Sequence, residues 1–249
     1  MWWKRLLGRS KSKAEVPPNA AEATNEAAQA AWERACERTQ ADRDAYWSAC
    51  GSVDTDFLTH LISPQLLGGP AWPTTRQAYR VIRNEDRMIL ASDGLSDPFE
   101  NDHGGNGFGM EVYLEIAGAA QATQEEIMNS PWFQLVAAAA QNIAAHGDIG
   151  PLLDHMGLLS MEVPVGQELA PGWVSAEQHQ GVLIGMGHAT RPARTEGGIR
   201  MAALTPLRPD ETAWVASSTE ARDEMAKHLS GSTGLVFDAD RPAITSYMQ

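Results

Sequence analysis

Apolar residues recur along the 249-residue chain with two different periods, and the changes of period mark its elements. Between residues 20 and 50 there is neither Pro nor Gly. Within that stretch Trp32, Ala35, Cys36, Thr39, Tyr46, Trp47 and Cys50 fall at offsets of 3, 4, 7, 14, 15 and 18, one face of a helix of 3.6 residues per turn. The pattern predicts a long N-terminal amphipathic helix capped by Asn19 and stopped by Gly51. A face this aromatic has to pack on a body. Residues 52–75 read as a short helical turn and then a loop, punctuated by Ile62-Ser63-Pro64, Gly68-Gly69-Pro70 and Trp72-Pro73.

Shorter periods follow. Residues 77–83 and 87–92 read as strands joined by an Asn84-Glu85-Asp86 hairpin turn, 93–107 as a Gly- and acid-rich loop, and 108–116 as a third strand. Thr123 with Glu126 forms a capping box. Ser130-Pro131 opens a helix that should end at Gly147. Later strands are expected at 158–163, 181–185, 198–204 and 235–238, with a last helix from Ser217 or Ser218 to Leu229. Strands and helices mix without strict alternation. The expected class is therefore α+β, with a mixed, partly antiparallel sheet packed against helices. The organisation reads as a basic tail (1–19), a long helix (20–50) and one main domain (55–249).

Composition narrows the function. With 43% hydrophobic and 20% charged residues, the chain can build a core. Residues 1–13 carry Trp2, Trp3 and five basic residues but no acid, which suits weak contact with an anionic membrane surface. No apolar run is long enough for a membrane span, and no apolar core of a signal peptide is visible, so a cytoplasmic location is expected. Cys36 and Cys50 are too far apart on one helix to be bridged.

The chain carries 32 acids against 19 basic residues, a net charge of −13. The 103 residues between Arg87 and Arg191 contain no Lys or Arg and 13 acids. Direct nucleic-acid binding is disfavoured, because phosphate contacts come from Lys and Arg. A field of one sign suits a basic protein partner. Nucleotide, hydrolase-elbow and zinc motifs are absent from the sequence. Gly104-Gly105-Asn106-Gly107-Phe108-Gly109 runs into a strand, where no helix N-terminus could hold a phosphate. Asp97, Glu100, Asp102, His103 and Glu111 form the best metal-like set, hard oxygen donors with one imidazole. A metal-dependent hydrolase built on Asp97, Asp102, His103 and Glu111 is the alternative to a binding module. No cofactor is expected.

Asp93-Gly94-Leu95-Ser96-Asp97, followed by Gly107-Phe108-Gly109-Met110-Glu111-Val112, resembles the paired signatures of the suppressor-of-fused family, bacterial type. Pro131-Trp132, Gly181-Val182-Leu183, Leu204-Thr205-Pro206-Leu207 with Glu211, and Asp238-Ala239-Asp240-Arg241 continue the likeness in order across 55–249, although Ala243 stands where the family has Ser. The resemblance implies a non-enzymatic module that grips a peptide as an added strand. In bacterial members it implies a cytoplasmic immunity protein that sequesters a toxin domain. On this reading Asp97, Glu100, Asp102 and Glu111 contact the partner. Gly94, Leu95, Ser96, Gly107, Phe108, Gly109 and Arg241 shape the fold around them.

Overall fold

A computed structural model describes residues 18–100, 105–231 and 235–244. The expected basic tail falls almost wholly outside the described residues. Helix α1 spans Pro18–Ser48, so it begins one residue before the expected cap, with Pro18 where a proline's fixed φ suits the first turn. Nine strands follow: β1 (Ser52–Val53), β2 (Leu58–Thr59), β3 (Ala78–Arg83), β4 (Arg87–Asp93), β5 (Met110–Ala117), β6 (Leu159–Pro164), β7 (His179–Ile184), β8 (Arg200–Leu207) and β9 (Val236–Phe237). Between them lie α2 (Gln124–Met128), α3 (Pro131–His146), α4 (Gly150–Met156), α5 (Pro209–Val215) and α6 (Thr219–Gly231).

The strands form one mixed sheet in the order β1-β3-β4-β5-β8-β7-β6, with β2 also on β3 and β9 also on β5. The expected α+β class holds. β3, β4 and β5 form an antiparallel meander, and β6, β7 and β8 another. The two meanders meet where β5 and β8 run parallel, a pairing that needs a long crossover. That crossover carries α2, α3, α4 and the β6–β7 hairpin. The first half of β8, Arg200 to Ala203, pairs with β5, and its second half, Leu204 to Leu207, pairs with β7. β9 takes the place beside Glu115 and Ile116 that β8 has left.

The central strands are covered on both faces, so their sequences lack clean alternation. Tyr79, Val81, Met88, Leu90, Val112, Leu114 and Ile116 pack with Leu135, Val136, Ala139 and Ile143 of α3. On the opposite face Ile82, Ile89, Ala91 and Tyr113 meet Tyr46 and Trp47 of α1, with Met225 and Leu229 of α6 close by in the same core. Trp47 meets Tyr113 edge to face at 5.5 Å. Two short helices, α4 and α5, were not visible in the hydrophobic pattern, and neither were the two-residue strands β1 and β2. The predicted turn in 52–75 is the 3-10 helix Pro64–Leu67, which leaves Leu61, Leu66 and Leu67 exposed.

Candidate functional site

The α1 face of β3, β4 and β5 carries Arg80, Asp93, Glu111 and Glu115 among its apolar residues, and Arg43 of α1 adds a cation. Asp93 ends β4, and Gly94 turns the chain at φ +142°, where a Cβ would come within 2.6 Å of the Arg76 carbonyl. Gly107 closes the same loop at φ +52°, with its missing Cβ 2.3 Å from the Asp97 carbonyl. The Phe108 N–H donates to the Leu95 carbonyl at 2.8 Å. Leu95 and Phe108 are buried, as expected.

This folded loop makes a socket, and Arg43 fills it. Arg43 is fully buried. It donates to Ser96 Oγ at 2.8 Å and to Asp97 at 2.7 Å, and its guanidinium lies 2.9 Å from Asp93 and 3.8 Å from Glu111. Arg76 reaches Asp93 at 3.1 Å and Asp97 at 3.6 Å, while Arg80 bonds Asp93 and also pairs with Asp44. Glu111 accepts from the Gly94 and Ser96 N–H groups at 3.0 Å each and from the Ser96 hydroxyl at 2.7 Å, and the Ser92 hydroxyl donates to its other oxygen.

Burial works against the charge on Arg43, but Asp93, Glu111 and Asp97 outweigh it and raise its pKa. For Asp93, burial is overcome by Arg43, Arg76 and Arg80, which hold the carboxyl below its ordinary value. Glu111 goes the other way. Burial raises its pKa, Arg43 counters, and Asp93 adds to the rise. The three carboxylates Asp93, Asp97 and Glu111 face the three guanidinia of Arg43, Arg76 and Arg80, with Arg80 shared by a fourth and more exposed carboxylate, Asp44.

Asp97 and Glu111 were expected on a partner-binding rim, and the structure corrects this. They are 4% and 0% exposed, bonded inside the socket, because the Gly-Leu-Ser turn folds their oxygens toward α1. For the hydrolase alternative, the cation already lying between these two carboxylates is a guanidinium. Asp102 and His103 lie outside the described residues. Glu100 is exposed. No group of three or more His, Cys, Asp or Glu suited to a metal occurs among the described residues.

Arg241 also becomes a buried partner. Its two Nη atoms each lie 2.7 Å from a Glu211 oxygen, and Glu211 further accepts the N–H groups of Arg208 and Ile244. The guanidinium stacks over Trp173 at 5.1 Å. This ties the end of the described chain to α5.

Much of the expected acidic field is cancelled in the same way. Glu115 is buried and paired with Arg87 and Arg191, and Asp154 is paired with Arg194 and Arg200. Every one of these arginines lies outside the base-free stretch. What is left exposed, with no Lys or Arg in salt-bridge reach among the described residues, includes Glu162 on β6, Glu168 just beyond it and Glu177 before β7. Glu162 is on the edge strand itself, and Glu168 and Glu177 lie in the segment that joins it to β7. The β6–β7 register, continued by the Val165 N–H to the Gln178 carbonyl at 3.1 Å, turns residues 159, 161 and 163 toward β7. Ser160, Glu162 and Pro164 therefore present their main-chain groups outward. Among the described residues no strand pairs with that side of β6.

Arg43 was missed in the sequence, although a signal was there. It lies four residues from both Thr39 and Trp47 on the predicted seam, and a cation on a buried face asks for a buried acid. The chain matches no protein-family model, no curated protein and no solved structure. No helix among the described residues is long and apolar enough to cross a membrane.

Proposed function

We propose that this chain is a non-enzymatic protein-binding module that captures a basic polypeptide by strand addition along β6. It would act as the cytoplasmic immunity or sequestering proteins implied by the suppressor-of-fused resemblance do, with a toxin domain as the partner. The supporting observation is an edge strand whose outward main-chain groups pair with no strand among the described residues and which carries the exposed carboxylate of Glu162, with Glu168 and Glu177 exposed in the segment that joins it to β7. An added strand gains its affinity from main-chain hydrogen bonds and its selectivity from flanking side chains. Ser160 and Glu162 offer two N–H groups, and residues 160, 162 and 164 offer carbonyls. Pro164 has no N–H and fixes where the added strand ends. Glu162, Glu168 and Glu177 select for Lys and Arg and speed the encounter at low salt.

The test is capture of the product of the adjacent gene, co-expressed with this chain, followed by hydrogen exchange. In the complex the Ser160 and Glu162 amides are expected to slow at least tenfold. The triple variant Glu162→Lys, Glu168→Lys, Glu177→Lys should lose capture while its circular dichroism stays native. Capture without protection of those amides, or capture by the triple variant at unchanged affinity, would refute strand addition at β6.

A further inference from the structure

The arginines around Glu115 do more than neutralise it. Two adjoining cavities share Arg87 and His188 as lining residues: one of about 440 Å³ between the end of α1, the β3–β4 hairpin and residues 188–191, and one of about 350 Å³ between residues 186–189, the end of α6 and β9. The first is polar at its floor, where Glu115 and Arg191 lie, with Cys50 and Thr190 on its wall. The second is walled by Met186, Leu235 and Val236. Together they make a groove with one charged end and one apolar end.

The charged end favours an anion. Arg191 is 12% exposed at its side chain and bonds Glu115 through Nη2, and its guanidinium lies over the Tyr113 ring at 5.6 Å. Its Nη1 is buried with no oxygen acceptor among the described residues, and only the weakly accepting Cys50 thiol faces the guanidinium. A buried guanidinium donor left open is rare and calls for a partner. Arg87 is loosely held, at 3.5 Å from Glu115 and 3.3 Å from Asp86, with 43% of its side chain exposed, so it can turn to a ligand. The opposing acids Glu85 and Asp86 also line the cavity but stand at its exposed rim, where solvent screens them more than it screens Arg191. Burial lowers the pKa of the neighbouring His188, with Arg191 and Arg87 adding to the effect and Glu115 opposing it. Set against three lining acids, Glu85, Asp86 and Glu115, the two guanidinia suit a monoanion better than a doubly charged phosphate.

We propose that this groove binds a small amphipathic carboxylate, its head on Arg191 and Arg87 and its short apolar tail along Met186, Leu235 and Val236. Both volumes fall within the range of small-ligand sites. The proposal is independent of strand addition at β6.

Cys50 lines the polar end, so its alkylation reports occupancy. In a Cys36→Ser background, the rate of N-ethylmaleimide reaction at Cys50 is measured against octanoate, octylamine, acetate, inorganic phosphate and a short peptide with a free C-terminal carboxylate. Octanoate should slow the reaction at least fivefold and saturably, acetate and phosphate less, and octylamine not at all. Arg191→Gln should weaken the octanoate effect at least tenfold. Arg87→Gln, at a half-exposed position that leaves the core intact, should weaken it about threefold. No protection by octanoate, equal protection by octylamine, or stronger protection by phosphate would overturn the proposal. Protection by the peptide without protection by octanoate would overturn it in favour of a polypeptide terminus.

Discussion

The two meanders of the sheet draw acids from the same base-free stretch and use them in opposite ways. In the β3–β4–β5 half, Asp93, Asp97, Glu111 and Glu115 are buried and paired with Arg43, Arg76, Arg80, Arg87 and Arg191. In the β8–β7–β6 half, Glu162, Glu168 and Glu177 stand in solvent at an edge that no other strand covers among the described residues. Net charge along a sequence is therefore a poor guide to the field around a fold. The central strands draw their counter-charges from segments that precede and follow the stretch. β6 has α3 and α5 against it, but neither places a Lys or Arg beside Glu162 among the described residues.

The comparison breaks most readily at Arg43. Replacing Arg43 by Met leaves Asp93, Asp97 and Glu111 with one guanidinium fewer in a dry site. Removing one partner of a buried ion pair costs about 3–5 kcal/mol. The expected result is a loss of that size in urea unfolding, with part of it recovered in the double variant Arg43→Met, Asp97→Asn. A loss below about 1 kcal/mol would mean that Arg76 and Arg80 suffice alone and that the socket is not what docks α1.

The elements were more legible in the sequence than the site. The capping box at Thr123 and Glu126 forms as read, Ser130-Pro131 opens α3, and Gly147 ends it. The hairpin at Asn84 also forms. These features depend on neighbours in the chain, and local chemistry determines them. The placement of the acids depends on partners on other elements, from 13 residues away for Arg80 and Asp93 to 54 for Arg43 and Asp97, and no local pattern carries that. Alternation was itself informative in one place. Glu111, Tyr113 and Glu115 share a face of β5, and so do Met110, Val112, Leu114 and Ile116. Two faces that are both buried, one with carboxylates, require cations from an overlying element. The Gly-Leu-Ser and Gly-Phe-Gly motifs were visible, but their product, a socket turned inward, was not.

A smaller effect distinguishes the halves by pH. His60 follows β2 at the covered edge of β3, with its ring 5.7 Å from Tyr79 and 5.4 Å from Phe133. Burial lowers its pKa from the ordinary 6.5. Below that value the unfolded chain takes up a proton that the folded chain refuses, so stability falls as pH drops through 6.5 toward the folded value. His60→Gln should flatten the pH dependence of the unfolding midpoint in this window. His188 is shifted in the same direction, so His188→Gln serves as the comparison. An unchanged slope in His60→Gln would show that the ring is already solvated.

The smallest expected change is the one that defines the open half. Glu162→Lys and Glu168→Gln each remove a negative charge that has no Lys or Arg near it among the described residues, the Gln keeping an acceptor for the Gly172 N–H that Glu168 binds at 2.8 Å, and surface substitutions of this kind stay within about 0.5 kcal/mol. If the edge is free, stability should be indifferent to both, or rise slightly as the net charge of −13 is relieved. The comparison with Arg43→Met is then one between acids that folding needs and acids that it does not. A loss above about 1 kcal/mol at Glu162, measured by the same urea titration, would show that the β6 edge is already engaged within the chain and is closed to an added strand.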